Sequence, residues 1–108
     1  MHYLLQTMPS VKIEKQSKHS PNDTFKRISD LLSNDKDLKK LDPSFKVDMN
    51  QAALTGTATG SMFKANLNVK EAGAGAKVEM VIDLPFHLAL VKGMVEKTLG
   101  KKLDEVLA

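Results

Sequence analysis

The residues that could carry out catalysis are few in this 108-residue chain, and their spacing does not bring them together. The three histidines, His2, His19 and His87, are not at metal-binding spacing from one another. Ser61 and Lys64 have the spacing of a serine–lysine nucleophile pair, but in strand periodicity they point to opposite faces. The absence of cysteine excludes thiolate metal sites, cysteine nucleophiles and a disulfide scaffold. We therefore expect no catalytic site, no metal site and no cofactor.

The other sequence patterns that could mark a functional site are better explained by structural roles. Gly73 and Gly75 lack the third glycine and the following helix of a phosphate-binding loop, so they predict a turn between strands. Acidic and basic side chains are mixed through residues 21–50, which is typical of a solvated surface. The net charge of +3 is spread along the chain and the aromatic residues occupy core positions, so we expect no nucleic-acid partner. These observations together predict a protein that is not an enzyme.

Local patterns in the first half of the chain predict one strand and two helices. Residues 11–14 alternate apolar and polar side chains, as a half-buried strand does. Ser20 and Pro21 then provide an N-cap and a first helical residue, and apolar side chains follow at helical spacing to about Asn34. A short second helix is predicted over residues 35–41.

From Phe45 onwards the periodicity changes to two and predicts four strands. They cover residues 45–49, 52–59, 63–70 and 77–84. A final helix follows from Phe86 to Leu107, with one apolar stripe about 30 Å long at 1.5 Å per residue. The order β-α-(short α)-β-β-β-β-α predicts an α+β fold, in which a long C-terminal helix packs on one face of a four- to five-stranded antiparallel sheet.

The size and composition fit one compact domain. A chain with 42% hydrophobic and 27% charged residues is of ordinary globular composition, and it is too short for two domains with separate cores. We assign residues 11–108 to the domain and residues 1–10 to a frayed leader. No apolar run approaches the roughly 20 residues of a membrane span. Without a secretory signal or cysteines, the expected location is the cytoplasm.

The final helix carries a second apolar row that packing on one side does not require. Phe86, Leu90 and Met94 are spaced by four residues and lie roughly 100–160° around the helix from the main stripe. This row is either covered by the first helix or by residues 38–45, or it is exposed and docks a partner or an apolar surface. Lysines that suit an anionic or amphiphilic surface lie nearby: Lys92, Lys97, Lys101 and Lys102.

Several motifs of the C-terminal half carry a family resemblance. They are LTGTATG at residues 54–60, FKANLNV at residues 63–69, VEMVIDLPF at residues 78–86 and LGKKLDEVLA at residues 99–108. In these motifs the chain resembles the polyhydroxyalkanoic acid system protein family, small bacterial proteins associated with polyester storage granules. The resemblance implies a granule surface as partner and transfers no functional residue.

The element order also looks like a shortened helix-grip domain, the hydrophobic-ligand-binding fold of the Bet v 1 and START-like proteins. Four small residues leave room either for a bound apolar group or for close approach of the helix, and we favour close approach: Ala52, Gly56, Ala58 and Ala65. A groove on this face would be lined by Ala58, Ala65, Leu67 and Met80. A closed pocket of several hundred Å³ is not expected from so few strands.

The favoured hypothesis is a non-enzymatic binding protein of the polyhydroxyalkanoate granule type. It docks apolar surfaces through Phe86, Leu90 and Met94, with Lys97 and Lys101 beside them. Two alternatives stay open. One is a small carrier that holds an acyl or lipid-like ligand between sheet and helix, and the other is a homodimeric interaction module in which the second row is the subunit interface.

Overall fold

A computed structural model of the chain describes residues 10–61, 63–85 and 90–108. In chain order the elements are β1 (Ser10–Ser17), α1 (Pro21–Asn34), α2 (Lys36–Leu41), β2 (Lys46–Asn50), β3 (Thr55–Thr59), β4 (Lys64–Ala72), β5 (Gly75–Asp83) and α3 (Lys92–Leu107). This confirms the predicted α+β class and element order. The predicted leader, apart from Ser10, and the predicted start of the last helix at Phe86 lie outside the described residues. Among the described helices, none is both long enough and apolar enough to cross a membrane.

The five strands form one antiparallel sheet in the order β1-β5-β4-β3-β2. The register brings one inner-face residue of every strand into a row across the sheet: Ile13, Met80, Leu67, Gly56 and Met49. Because side chains alternate along each strand, one face of the sheet is apolar throughout and packs against the helices. The opposite face carries mainly lysine, glutamate, threonine and asparagine.

The turns of the sheet depart from the prediction at one place. β3 is shorter than predicted because residues 51–54 form the turn of the β2–β3 hairpin. Leu54 has a φ of 55°, and its carbonyl accepts a hydrogen bond from the N–H of Val69 at 3.0 Å. Ala52 is therefore exposed in a turn, and its predicted place on the sheet face is wrong. The turn between β4 and β5 agrees with the prediction, with Gly73 at a φ of 57° that side chains rarely adopt.

Side-chain caps begin both N-terminal helices, and the one at Ser20 confirms the prediction. The hydroxyl of Ser20 accepts a hydrogen bond from the N–H of Asp23 at 3.2 Å at the start of α1, and Phe25 on this helix is buried. Asp35 follows α1 and caps α2, because its Oδ1 accepts a hydrogen bond from the N–H of Asp37 at 2.9 Å. α1 contacts β2, β4 and β5 and so covers the middle of the sheet.

α3 packs mainly against β1 and α1, at one side of the apolar face. Its buried side chains lie from the middle of the helix onwards and are Leu99, Leu103 and Leu107. In the first half, Val95 is only partly buried. The predicted packing of the long helix on one face is confirmed, and its contacts concentrate at the β1 edge.

Polar contacts fix the second half of α3 in that position. Lys15 points inward from β1 and forms an ion pair with Asp104, with 2.9 Å between Nζ and Oδ1. Arg27 on α1 donates a hydrogen bond to the carbonyl of Val106 at 3.0 Å. These contacts hold the helix over β1 and leave the inner face of β3 and β4 to the other helices.

Candidate functional site

A groove of about 410 Å³ lies between the inner face of the sheet, the α1–α2 junction and the first half of α3. Its apolar wall is formed by Leu32, Leu38, Phe45, Ala58, Phe63, Ala65, Met80, Ile82, Leu84, Val91, Met94, Val95 and Leu99. The polar residues that line it are Asp37, Thr98 and Lys102. A space of this volume falls within the range of roughly 300–1,000 Å³ that small-molecule sites occupy.

The groove exists because small side chains and an off-centre helix coincide. Ala58 and Ala65 are directly opposite each other on β3 and β4, and both are buried. The contacts of α3 with the sheet are mainly with β1, and a space of about 410 Å³ remains beside these two alanines. The chain therefore leaves more space than its length led us to expect.

The residues predicted to line a groove divide into two groups. Ala58, Ala65 and Met80 line the space of about 410 Å³. Leu67 lies on the same face but outside that space, in a closely packed part of the core beside Met49. The register explains the difference, because Leu67 pairs with Gly56 rather than with Ala58 and lies one pleat further along β4.

At the mouth of the groove a lysine lies between two carboxylates. The ammonium of Lys102 is 2.9 Å from Oδ2 of Asp35 and 3.2 Å from Oδ2 of Asp37. Burial opposes the charged form of Asp35, but hydrogen bonds from Lys102 and from the Asp37 N–H outweigh it and place the pKa of Asp35 below its ordinary value. Hydrogen bonds to the two carboxylates raise the pKa of Lys102.

This arrangement determines which chemistry the mouth can offer. With its pKa raised, Lys102 stays protonated at neutral pH and serves as a hydrogen-bond donor rather than as a nucleophile or a base. Among the described residues that line the groove, Lys102 and Asp37 are the ionisable ones. The site therefore combines a large apolar surface with one polar position at the mouth.

A pair of phenylalanines forms part of the groove wall beyond the sheet. The ring centroids of Phe45 and Phe63 are 5.4 Å apart and the ring planes are inclined by 44°. Each ring comes shortly after a serine that is hydrogen-bonded to the buried Asp42, whose Oδ1 accepts hydrogen bonds from the hydroxyls of Ser44 at 2.7 Å and Ser61 at 3.2 Å. The N–H of Ser61 also donates to the Ser44 hydroxyl at 2.9 Å. Ser61 thus lies in the connection before β4 and joins it to the connection before β2, rather than lying in a strand.

The second apolar row of the last helix is uncovered where the structure describes it. Leu90 is 98% exposed and Met94 is 64% exposed, although Met94 also lines the groove. Lys97 and Lys101 are exposed and continue the same side of the helix at spacings of three and four residues. Phe86, the first predicted member of this row, lies outside the described residues.

Sequence reasoning missed the most polar part of the site. Asp37 and Lys102 are 65 residues apart, and nothing in their local sequence pairs them. Phe45 and Phe63 carried a usable signal, since each begins an alternating apolar pattern on the inner face of its strand.

No protein-family model and no curated protein matches this chain. Solved structures do match its fold. The aromatase/cyclase ZhuI from Streptomyces sp. R1128 has 12% identity and a TM-score of 0.61, over 94% of this chain and 92% of its own. Ara h 8.0201 has 12% identity and a TM-score of 0.60, over 94% and 95%. The di-domain aromatase/cyclase BexL of the BE-7585A biosynthetic pathway has 10% identity and a TM-score of 0.65, over 93% of this chain and 45% of its own.

These structural similarities bear on the expectations about family and about enzymatic activity. At such low identity they show the fold alone, and they support the predicted helix-grip architecture, whereas the resemblance to the polyhydroxyalkanoic acid system family is not confirmed. The inference from the sequence that the chain is not an enzyme is wrong as an exclusion, because two proteins with the same fold are aromatase/cyclases. The absence of a recognisable catalytic motif therefore does not separate binding proteins from enzymes on this fold. The chain has the helix-grip fold, with its open groove between the sheet and the first half of the last helix.

Proposed function

We propose that the chain binds a small apolar molecule in the groove between the sheet and α3. The observation that carries this proposal is a space of about 410 Å³ with apolar walls, above the paired Ala58 and Ala65. Apolar walls with few polar groups are the usual composition of small-molecule sites. The helix-grip fold, which the chain shares with the neighbouring structures, supports a hydrophobic ligand.

The size of the groove predicts moderate affinity. Burial of about 250 Å² of apolar ligand surface at roughly 25 cal/mol per Å² contributes about 6 kcal/mol. Because this sum leaves out the entropic cost of association, a dissociation constant of about 40 µM is the tightest binding that apolar burial alone provides. A well-placed polar end on the ligand adds to this affinity.

The proposal is tested with a neutral apolar fluorophore, N-phenyl-1-naphthylamine, whose emission rises when it leaves water. Ala58→Leu puts three more carbon atoms into the groove, so we expect the emission enhancement to fall at least about five-fold. Thr59→Leu is the matched control, because Thr59 is the next residue of β3, is exposed and points to the opposite face. Equal binding by the wild-type chain and by Ala58→Leu would refute this location for the ligand.

A second function is favoured by the exposed row on α3, and it is docking at an apolar or amphiphilic surface. Leu90 and Met94 present uncovered apolar side chains, and Lys97 and Lys101 follow on the same side, a combination that suits an interface between water and an apolar phase. The resemblance of several motifs to the polyhydroxyalkanoic acid system family indicates which surface this is, namely a storage granule in the cytoplasm.

Leu90→Asp separates docking from ligand binding. Leu90 does not line the groove, so this change should abolish sedimentation with polyhydroxyalkanoate granules and leave binding of the fluorophore unchanged. Met94→Lys should affect both, because Met94 belongs to the row and to the groove wall. Gln16→Glu, on the exposed outer face of β1, is a control for added negative charge. If Leu90→Asp instead halves the mass measured by native mass spectrometry, the row is a homodimer interface and surface docking is refuted.

A further inference from the structure

We infer that the groove takes an apolar molecule that ends in a hydroxyl group and discriminates against one that ends in a carboxylate. The inference rests on the proposed binding of a small apolar molecule and identifies the chemistry of its polar end. The observation behind it is the arrangement of charges at the mouth of the groove, where Asp35, Asp37 and Lys102 meet.

A single lysine beside an apolar groove would by itself indicate a carboxylate ligand, but here the lysine is already paired twice. Its ammonium is 2.9 Å from a carboxylate oxygen of Asp35 and 3.2 Å from one of Asp37. The side chain of Asp35 is only 7% exposed, so this ion pair is shielded from solvent and is not easily displaced. Two negative charges and one positive charge leave the mouth with a net charge of −1.

A ligand carboxylate at this position meets two like charges and one cation that is already neutralised. It has to displace the carboxylate of Asp37 from Lys102 or remain close to it, and either arrangement weakens binding. Because the side chain of Asp37 is 77% exposed, solvent reduces this repulsion without removing it.

A hydroxyl group fits the same position without such a conflict. The ammonium of Lys102 donates a hydrogen bond to Oδ2 of Asp37 at 3.2 Å and forms an ion pair with Asp35 at 2.9 Å, and these two contacts do not use all three of its N–H groups. The ammonium can therefore also donate a hydrogen bond to the oxygen of a ligand hydroxyl. The hydroxyl proton can in turn be donated to Oδ1 of Asp37, which also lines the groove. One hydroxyl thereby uses both a donor and an acceptor of the mouth.

The test compares two ligands with the same alkyl chain, 1-decanol and decanoate, as competitors of N-phenyl-1-naphthylamine at neutral pH, where decanoate is ionised. We expect decanol to displace the fluorophore at a concentration about five-fold lower than decanoate. Asp37→Asn removes one negative charge from the mouth and should improve displacement by decanoate about three-fold. Asp48→Asn makes the same change on the exposed outer face of β2 and should leave both ligands unaffected.

The outcomes separate this inference from the proposed function. If the fluorophore binds and decanoate displaces it as well as decanol does, ligand binding stands and the hydroxyl preference is refuted. The same holds if Asp37→Asn does not improve displacement by decanoate. If the fluorophore does not bind the wild-type chain, the proposed function fails and this inference fails with it.

Discussion

The ion pairs of Lys102 should make a measurable contribution to stability, because they join α3 to the α1–α2 junction. In Lys102→Met the apolar stem is retained, while the charge that compensates the nearly buried Asp35 is lost. Exposed ion pairs contribute about 0.2–1 kcal/mol, and removal of one partner of a fully buried pair costs about 3–5 kcal/mol. Lys102 is 22% exposed and Asp35 is 7% exposed, so we expect a loss of about 2 kcal/mol in the free energy of unfolding, discounted for solvent screening.

A double-mutant cycle isolates the charge interaction from the helix cap. Asp35→Asn removes the charge but keeps an oxygen that can accept the hydrogen bond from the Asp37 N–H. The coupling energy between Lys102→Met and Asp35→Asn should be about 1–1.5 kcal/mol. The chain has no tryptophan, so urea unfolding is followed by circular dichroism of the helices. Lys101→Met, at an exposed neighbouring position, is the matched control.

The coupling should also depend on pH in a defined direction. The folded pKa of Asp35 lies below its ordinary value of 3.8, so its contribution is present above that value and is lost as pH falls through the lower folded pKa. The folded pKa of Lys102 lies above 10.5, so its contribution is lost only as pH rises through that higher value. A coupling energy below about 0.3 kcal/mol at neutral pH would refute the ion pair as a stabilising contact.

Three further changes test other parts of the structure. Gly100→Ala should stabilise the chain by about 0.5–1 kcal/mol, because the added Cβ would lie 3.7 Å from its nearest neighbour, an ordinary contact; a loss in urea unfolding would contradict this. Thr24→Val should cost about 1–2 kcal/mol, since it deprives the buried Ser17 hydroxyl of a partner at 2.7 Å, and the double variant with Ser17→Ala should recover part of that loss. Between about pH 5 and pH 3 the free energy of unfolding should fall. An arginine hydrogen bond lowers the pKa of Asp23 and lysine charges lower that of Glu79, so stability that stayed constant or rose on acidification would contradict these assignments.

Local signals predicted the fold well because they act within a few residues. The cap at Ser20 and the alternation along β4 and β5 need no information from elsewhere in the chain, and both are confirmed. The start of β3 was predicted too early, because an apparently continuous run of small residues and threonines contains a turn at residues 51–54. Leu54 carries no residue-type signal for its left-handed backbone, so the sequence alone could not show where the turn ends.

The site could be predicted only in part, because it depends on where α3 lies. Alternation identified Ala58, Ala65 and Met80 as neighbours on the inner face, but it could not decide between helix contact and open space. That choice follows from long-range contacts at the β1 edge, above all between Lys15 and Asp104. The available signal for such a contact was Lys15, because it is a lysine at an inward-pointing position of β1. Its acidic partner, Asp104, is far away in the sequence.

The unequal anchoring of α3 has a kinetic consequence. Its second half is held by buried leucines and by the contacts of Lys15 and Arg27, whereas its N-cap residue, Val91, makes no side-chain capping hydrogen bond. Near Gly93, in the first turn, no atom of the described residues lies within 4 Å of the position that a Cβ would take. Local unwinding of the first two turns should therefore cost much less free energy than global unfolding, and we expect amide hydrogens there to exchange faster than those after Leu99. We also expect a molecule bound in the groove to enter and leave at this end of α3 while the core remains folded, so its residence time should not follow the global stability of the chain.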